Sequence, residues 1–283
     1  MSSAIVLLIH FFLWQDVYHT LWAEENDVLL SVPEKAIRHF FMPPFAGDHA
    51  TFVEGLKIVE EHLSDLGKPF LLKSASPWVV DRMKEFCPGC YSYQEDRDNW
   101  EYIYKTSDLI QLPGKKFRMK KNHLNGFLRA YGDYQYEPVG RDNLPECIAS
   151  AREWFVRHQD TDSIEHEQTA MNVMFENWDS LGLKGGVIRI YGKIEAFTVG
   201  SLLNPKMAHI HFEKANPDIR GLYQAINRDF LMHEFSGTEF VNREEDLGLP
   251  GLRKAKMEYQ PDHFAEKYDV TLNAAGCGEL EEL

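Results

Sequence analysis

The sequence predicts an α+β protein of mixed α/β character, built as two similar halves, each a mixed sheet with helices on both faces. Three observations lead there. Amphipathic helical segments and short alternating strands interleave along the whole chain. The second half reads α-α-β-β-β-α-β-α-β, and the first half reads as a weaker copy of it. No low-complexity linker interrupts the 283 residues, a length that suits two ordinary domains or one large one. The halves are expected at 1–140 and 141–283, with the site in the second.

In the first half, 27–32 and 37–42 read as strands about a turn at Pro33. Residues 50–66 carry Phe52, Val53, Leu56, Val59, Leu63 and Leu66 at helical spacing, and Gly67 stops the helix. Strand 70–73, helix 77–86 and strand-like stretches 91–94 and 101–105 follow. Helix 116–131 and strand 134–139 close this half.

Helices over 143–158 and 164–180 open the second half. Strands 184–192, 193–201 and 207–215 form a meander, and Tyr191-Gly192-Lys193 gives a hairpin signal. In 207–215, alternation puts Ile210 and Phe212 on one side and His209, His211 and Glu213 on the other. Helix 219–235, strand 238–242 and helix 250–257 follow, the last running into a strand, MEYQP.

Composition narrows the function classes. A net charge of −14 argues against general affinity for DNA, which lysines and arginines dominate. The apolar run 4–14 is too short to span a bilayer, lacks the flanks of a signal peptide and reads as a buried first element. The tail CGELEEL reads as a solvated end. Cys87-Pro-Gly-Cys90 is a lone CxxC with no second pair, so it reads as a turn rather than a zinc or redox site. The cysteine usage fits a reducing cytosol, and a cytoplasmic protein is expected.

Four stretches carry a resemblance: 108–127 (DLIQLPGKKFRMKKNHLNGF), 181–200 (LGLKGGVIRIYGKIEAFTVG), 210–230 (IHFEKANPDIRGLYQAINRDF) and 241–261 (VNREEDLGLPGLRKAKMEYQP). With them nearly the whole chain resembles an uncharacterised bacterial family related to the C-terminal domain of phosphatidylglycerol lysyltransferase. That resemblance implies two GNAT-like halves, the fold of the Fem-type peptidyltransferases, which take an aminoacyl group from aminoacyl-tRNA. It implies an acyl- or aminoacyl-transferase acting on an amine or hydroxyl acceptor. A non-catalytic module that senses a phosphorylated or aminoacylated small ligand is the alternative, and a coenzyme A-dependent N-acetyltransferase is third.

The pyrophosphate loop of GNAT enzymes runs close to Q/R-x-x-G-x-G/A. Here it reads Arg220-Gly221-Leu222-Tyr223-Gln224-Ala225, with Tyr223 at the central glycine. A side chain there obstructs close backbone approach to a pyrophosphate. No cofactor is therefore expected, and a donor other than coenzyme A is favoured.

The remaining candidates are charged. Lys115, Lys116, Arg118, Lys120, Lys121 and Arg129 crowd one helical segment of an acidic chain. Arg118 and Lys121 either clamp phosphates of a donor or form a solvated basic face. His211, with His209, invites a metal. A cupin-like metal site would need a jelly roll of short strands and a further histidine, whereas this chain alternates helices and strands, so no metal is expected and the strand face reads as a polar cleft wall. Glu213 is the candidate general base, or else the ion-pair partner of Arg220 or Lys214. Asn242, Arg243, Glu244, Glu245 and Asp246 follow a strand and precede a turn, and Arg253 and Lys256 share a helix face. The resemblance places this segment beside the active centre, with Arg253 and Lys256 on an anionic donor or an oxyanion. Otherwise these residues form a buried ion-pair network that fixes the loop. Glu213, Arg220, Glu245 and Arg253 are expected to converge.

Overall fold

The computed structural model describes residues 12–34, 39–157 and 162–273, with the side chains of 155–157 and 162–164 left aside. The apolar run 4–14 lies mostly outside these residues, and the acidic tail wholly so. Two compact units form, a smaller one within 15–100 and 265–283 and a larger one within 1–14 and 101–264. The expected boundary near 140 falls inside the larger unit. The reason is long-range pairing, because strands from 101 onward join the sheet of the second half.

In the smaller unit, β1 (Thr20–Glu25) and β2 (Val28–Pro33) form a hairpin. Asn26 and Asp27 turn it with φ of 51° and 64°, the left-handed pair a tight hairpin requires. Next come β3 (Phe45–Ala46), α1 (His49–Asp65), β4 (Leu71–Ala75), α2 (Pro77–Phe86) and β5 (Tyr91–Glu95). Asp48 caps α1 by accepting from the Thr51 amide, and Ser76 caps α2 ahead of Pro77 at its first turn. Phe52, Leu56, Val59 and Leu63, the stripe read from the sequence, are buried against Leu72 and Met83.

The strand expected over 37–42 is reduced, among described residues, to a bridge between Phe41 and Leu72. Cys87 and Cys90 pair as a disulfide across the turn that follows α2.

The larger unit opens with β6 (Glu101–Lys105), α3 (Thr106–Gln111), α4 (Arg118–Ala130) and β7 (Gln135–Pro138). Helices α5 (Leu144–Arg157) and α6 (Asp162–Glu176) lead to β8 (Lys184–Ile190), β9 (Lys193–Asn204) and β10 (Met207–Ala215). Then follow α7 (Leu222–Glu234), β11 (Phe240–Asn242), α8 (Pro250–Met257) and β12 (His263–Ala265). The predicted hairpin at Tyr191-Gly192 is present, with φ of 50° and 81°. The predicted strand over MEYQP is not. The chain turns there, and β12 forms later. A last strand, β13 (Tyr268–Leu272), enters the smaller unit between β4 and β5.

The seven strands order as β12-β6-β11-β10-β9-β8-β7. One core cluster joins Ile188, Ala208, Ile210 and Val241 to Leu109 of α3, Leu124 and Phe127 of α4, and Ile226 and Phe230 of α7. Another joins Val187, Phe197, Val199 and Phe212 to Cys147 and Ala151 of α5 and Met171 and Met174 of α6. Helices thus cover both faces of the sheet, as the sequence predicts.

Simple alternation fails along β10. Ile210 packs in the first cluster and Phe212 in the second, on opposite faces. A register shift against β9 between Ile210 and Phe212 accounts for this: a bulge inserts one residue, His211, and reverses the alternation after it. Glu213 therefore faces α7 rather than sharing a face with His209.

Candidate functional site

Strands β10 and β11 run parallel for only three pairs, Met207 with Phe240, Ala208 with Val241 and His209 with Asn242. Beyond that point β10 runs on to Ala215 while the other chain turns away. The Arg243 amide donates to the Tyr102 carbonyl of β6 at 3.0 Å. Asn242 builds the turn: its Oδ1 accepts the Glu244 amide at 2.8 Å, and its Nδ2 donates to Glu101 Oε2 at 2.6 Å. Glu244 adopts φ of 58° and Leu247 φ of 52°, left-handed values that are costly for residues with side chains. The strands part where this strained loop begins.

Across the gap, Arg243 Nη2 donates to Glu213 Oε1 at 2.8 Å. Both side chains are buried, with 14% and 11% exposure. Asn227 of α7 donates to the other carboxylate oxygen at 3.2 Å. The Arg243 guanidinium lies over the Tyr259 ring, 5.1 Å from its centre, with Tyr104 on a further side. Burial pushes the Arg243 pKa down, but the Glu213 carboxylate outweighs it and the pKa is raised. Burial raises both phenols, that of Tyr259 to about 12, so they remain neutral donors.

Asp246 and Arg253 form a different pair. Asp246 is fully buried, and Arg253 grips it through Nε at 2.8 Å and Nη2 at 2.7 Å. The Tyr102 hydroxyl and the Gly248 amide donate to the same carboxylate. Burial pushes this carboxyl up, yet these donors outweigh it and hold it at about 2. Lys256 donates to the carbonyls of Arg243 and Glu245. Burial drives its pKa down to about 8.

Asn242, Asp246, Arg253 and Lys256 are therefore spent on holding the loop, the alternative the sequence left open. Of the four charges expected to converge, Glu213 meets Arg243, and Arg253 meets Asp246. Glu245 contributes its main-chain carbonyl to the loop clamp, and its charge acts on His209.

Arg118 and Lys121 are exposed on α4, as the sequence predicts. Lys120 instead turns inward, 2.9 Å from Glu258 and 4.5 Å above the Tyr259 ring centre. Arg220 is exposed, and its charge acts on His123 of α4. Burial first, then Arg220 and Lys120, hold the His123 pKa below its usual value.

The loop between β10 and α7 is shaped by Gly221, which opens α7 with φ of 89°. A Cβ there would stand 2.3 Å from the His123 carbonyl oxygen of α4. Its glycine thus allows the close approach of α7 to α4. Tyr223 sits in the first turn of α7, where burial raises its phenol pKa. On the opposite face, Asn216 and Asp218 line a cavity of about 200 Å³ with Ser150, Trp154, Glu195 and Lys214. Lys214 is occupied by Glu167 at 2.7 Å.

His211 Nε2 lies 2.9 Å from Ser201 Oγ, and its ring centre lies 4.6 Å from that of His209. His209 Nε2 approaches Glu244 Oε1 at 3.1 Å.

Sequence reasoning named Arg243 and Lys120 among charged stretches without giving them a role in the site, and it missed the tyrosines around them. Arg243 stood in the dense stretch beside Asn242, but nothing local ties it to Glu213, thirty positions away. A basic residue directly after a short strand that pairs in parallel was the available signal.

The sequence profile described as "Phosphatidylglycerol lysyltransferase, C-terminal" matches residues 8–271. A conserved protein of unknown function from Bacteroides thetaiotaomicron superposes with a TM-score of 0.83 at 32% identity, over 96% of this chain and 92% of that one. L-PGS from Bacillus licheniformis superposes at 0.59 with 15% identity, over 93% and 87%. FemX superposes at 0.56 with 8% identity, over 96% and 93%. The fold is shared with L-PGS and FemX. An uncharacterised protein of Mycoplasmoides gallisepticum is 24% identical over 170 residues, 60% of this chain and 55% of that relative, so the match spans about half of its length. Among the described residues, no helix is long and apolar enough to cross a membrane.

Proposed function

The chain belongs to the family of phosphatidylglycerol lysyltransferase C-terminal domains, and from that premise we propose that it transfers an aminoacyl group from aminoacyl-tRNA to an amine or hydroxyl acceptor. The observation that carries the reading is the Glu213–Arg243 pair, which is buried at the point where β10 and β11 part. A strand end opened in this way offers one carboxylate and one guanidinium to a single reacting carbonyl.

In the proposed reaction the acceptor attacks the ester carbonyl of the donor. Glu213 takes the proton the acceptor loses, and Arg243 carries the charge that develops on the carbonyl oxygen. The tetrahedral intermediate collapses with the ribose oxygen as leaving group, which takes the proton that Glu213 accepted from the acceptor. Arg243 takes the oxyanion role that the resemblance implied for Arg253, because Arg253 is held on Asp246. The exposed Arg118, Lys121 and Arg220 offer charge to donor phosphates, and Tyr223 stands against coenzyme A as the donor.

Incubation of the purified chain with mixed radiolabelled aminoacyl-tRNAs tests this. Label should move to an acceptor from a cell extract. Glu213→Gln should slow transfer by about 10²- to 10⁴-fold, the usual worth of a general base. Absence of transfer from every aminoacyl-tRNA would sink the reading.

The cavity beside Asn216 favours the second reading, a sensor. Its volume of about 200 Å³ and its mixed charges suit a small zwitterion. Native mass spectrometry revealing a stoichiometric amino acid-sized ligand, without transfer, would select it.

A further inference from the structure

Between β10 and the strained loop after β11 lie three side chains that the proposed reaction does not use. His209, His211 and Glu244 each offer one ligand atom, and these atoms all lie within 4.8 Å of one another. Ligation at about 2.1 Å from a common ion would draw these three atoms closer together. The sequence supplied only the His-x-His half of this set. The third ligand arrives because Asn242 holds Glu244 in its left-handed conformation.

His209 is 4% exposed; its Nε2 contacts Glu244 Oε1 at 3.1 Å, while Nδ1 is buried without a hydrogen-bond partner. A buried ring nitrogen with no partner is uncommon and is open to a ligand. Glu244, Glu101 and Glu245 all bring negative charge to bear on His209, which favours a cation. Ser201 Oγ contacts His211 Nε2 at 2.9 Å, the kind of outer partner that orients a ligating ring. The Glu244 side chain is 28% exposed and offers a path of entry.

We propose that His209, His211 and Glu244 bind one divalent transition-metal ion of the zinc class. Two imidazoles and one carboxylate are a donor set suited to zinc and its first-row neighbours rather than to magnesium or calcium. Three protein ligands leave a fourth position open. The ion ties the loop that carries Arg243 and Asp246 to the bulge of β10. It thereby fixes the geometry of the parted strands, whatever reaction occurs there.

The test is calorimetric titration of the full, metal-stripped chain with zinc chloride, together with X-ray absorption at the zinc edge. About one equivalent should bind, with a first shell of nitrogen and oxygen only. Glu244→Gln, which keeps size and removes charge, should abolish stoichiometric binding. Ser201→Ala, which touches only the outer partner, should weaken it by about 10- to 100-fold. Should Glu244→Gln fail to fold, the Ser201→Ala affinity and the wild-type absorption spectrum still decide. The proposal falls if no stoichiometric zinc binds, if sulfur appears in the shell, or if Ser201→Ala binds zinc with unchanged affinity.

Discussion

Arg243 and Glu213 meet at 2.8 Å across the gap between two strands that are parallel neighbours for only three residue pairs. The contact joins the start of a strained loop to the end of β10, and both partners are withdrawn from water. A buried pair of this kind is costly to break from one side, because the remaining charge is left without compensation.

Arg243→Ala should therefore destabilise the protein by about 3–5 kcal/mol, read as a lower urea midpoint. Pairing that change with Glu213→Leu should recover most of the loss, since no buried charge then remains. An Arg243→Ala midpoint equal to wild type would contradict the buried pairing.

Arg253→Ala should cost about 1–3 kcal/mol, because buried Asp246 loses two of its donors while the Arg253 side chain is itself 35% exposed. The same pair predicts acid sensitivity. The Asp246 carboxyl lies at about 2 in the folded protein, below the ordinary 3.8 of an aspartate. A depressed carboxylate contributes stability that is present above pH 4 and is lost as pH falls toward 2. The contribution is about 2 kcal/mol. Asp246→Asn should flatten the stability profile across that window, and an unchanged slope would refute the assignment.

Gly221→Ala should lower stability by about 1–3 kcal/mol, the usual cost of a strained backbone, with more from the clash. The obstacle is the carbonyl of His123, 2.3 Å from the new Cβ, and a backbone atom cannot rotate away. Melting curves check this. A neutral substitution would mean that α4 and α7 can separate freely.

Acetyl-coenzyme A should bind weakly or not at all, because Tyr223 fills the first turn of α7 where a pyrophosphate would need bare backbone. Calorimetry is the measurement. Micromolar affinity, about −8 kcal/mol, would overturn the expectation.

The sequence by itself determined most of the local elements. The strands Glu101–Lys105 and Met207–Ala215 and the helices Pro77–Phe86 and Pro250–Met257 have the bounds read from periodicity. Caps, prolines and hairpin glycines act within a few residues, so they are visible in a linear text. The charged residues that matter were also named, though mostly with other partners. Only tertiary structure decided those partners. The bulge at His211 turned Glu213 toward α7, and a one-residue insertion of that kind leaves no mark on an alternating strand. Arg243 took Glu213 because β11 ends where β10 continues, a relation set by a parallel pairing across distant segments. Arg253 went to Asp246, and Glu244 to His209, because the loop between them folds through left-handed residues that spacing alone does not reveal. Short-range sterics are written in the chain, whereas the pairing of buried charges depends on which segments the core brings together.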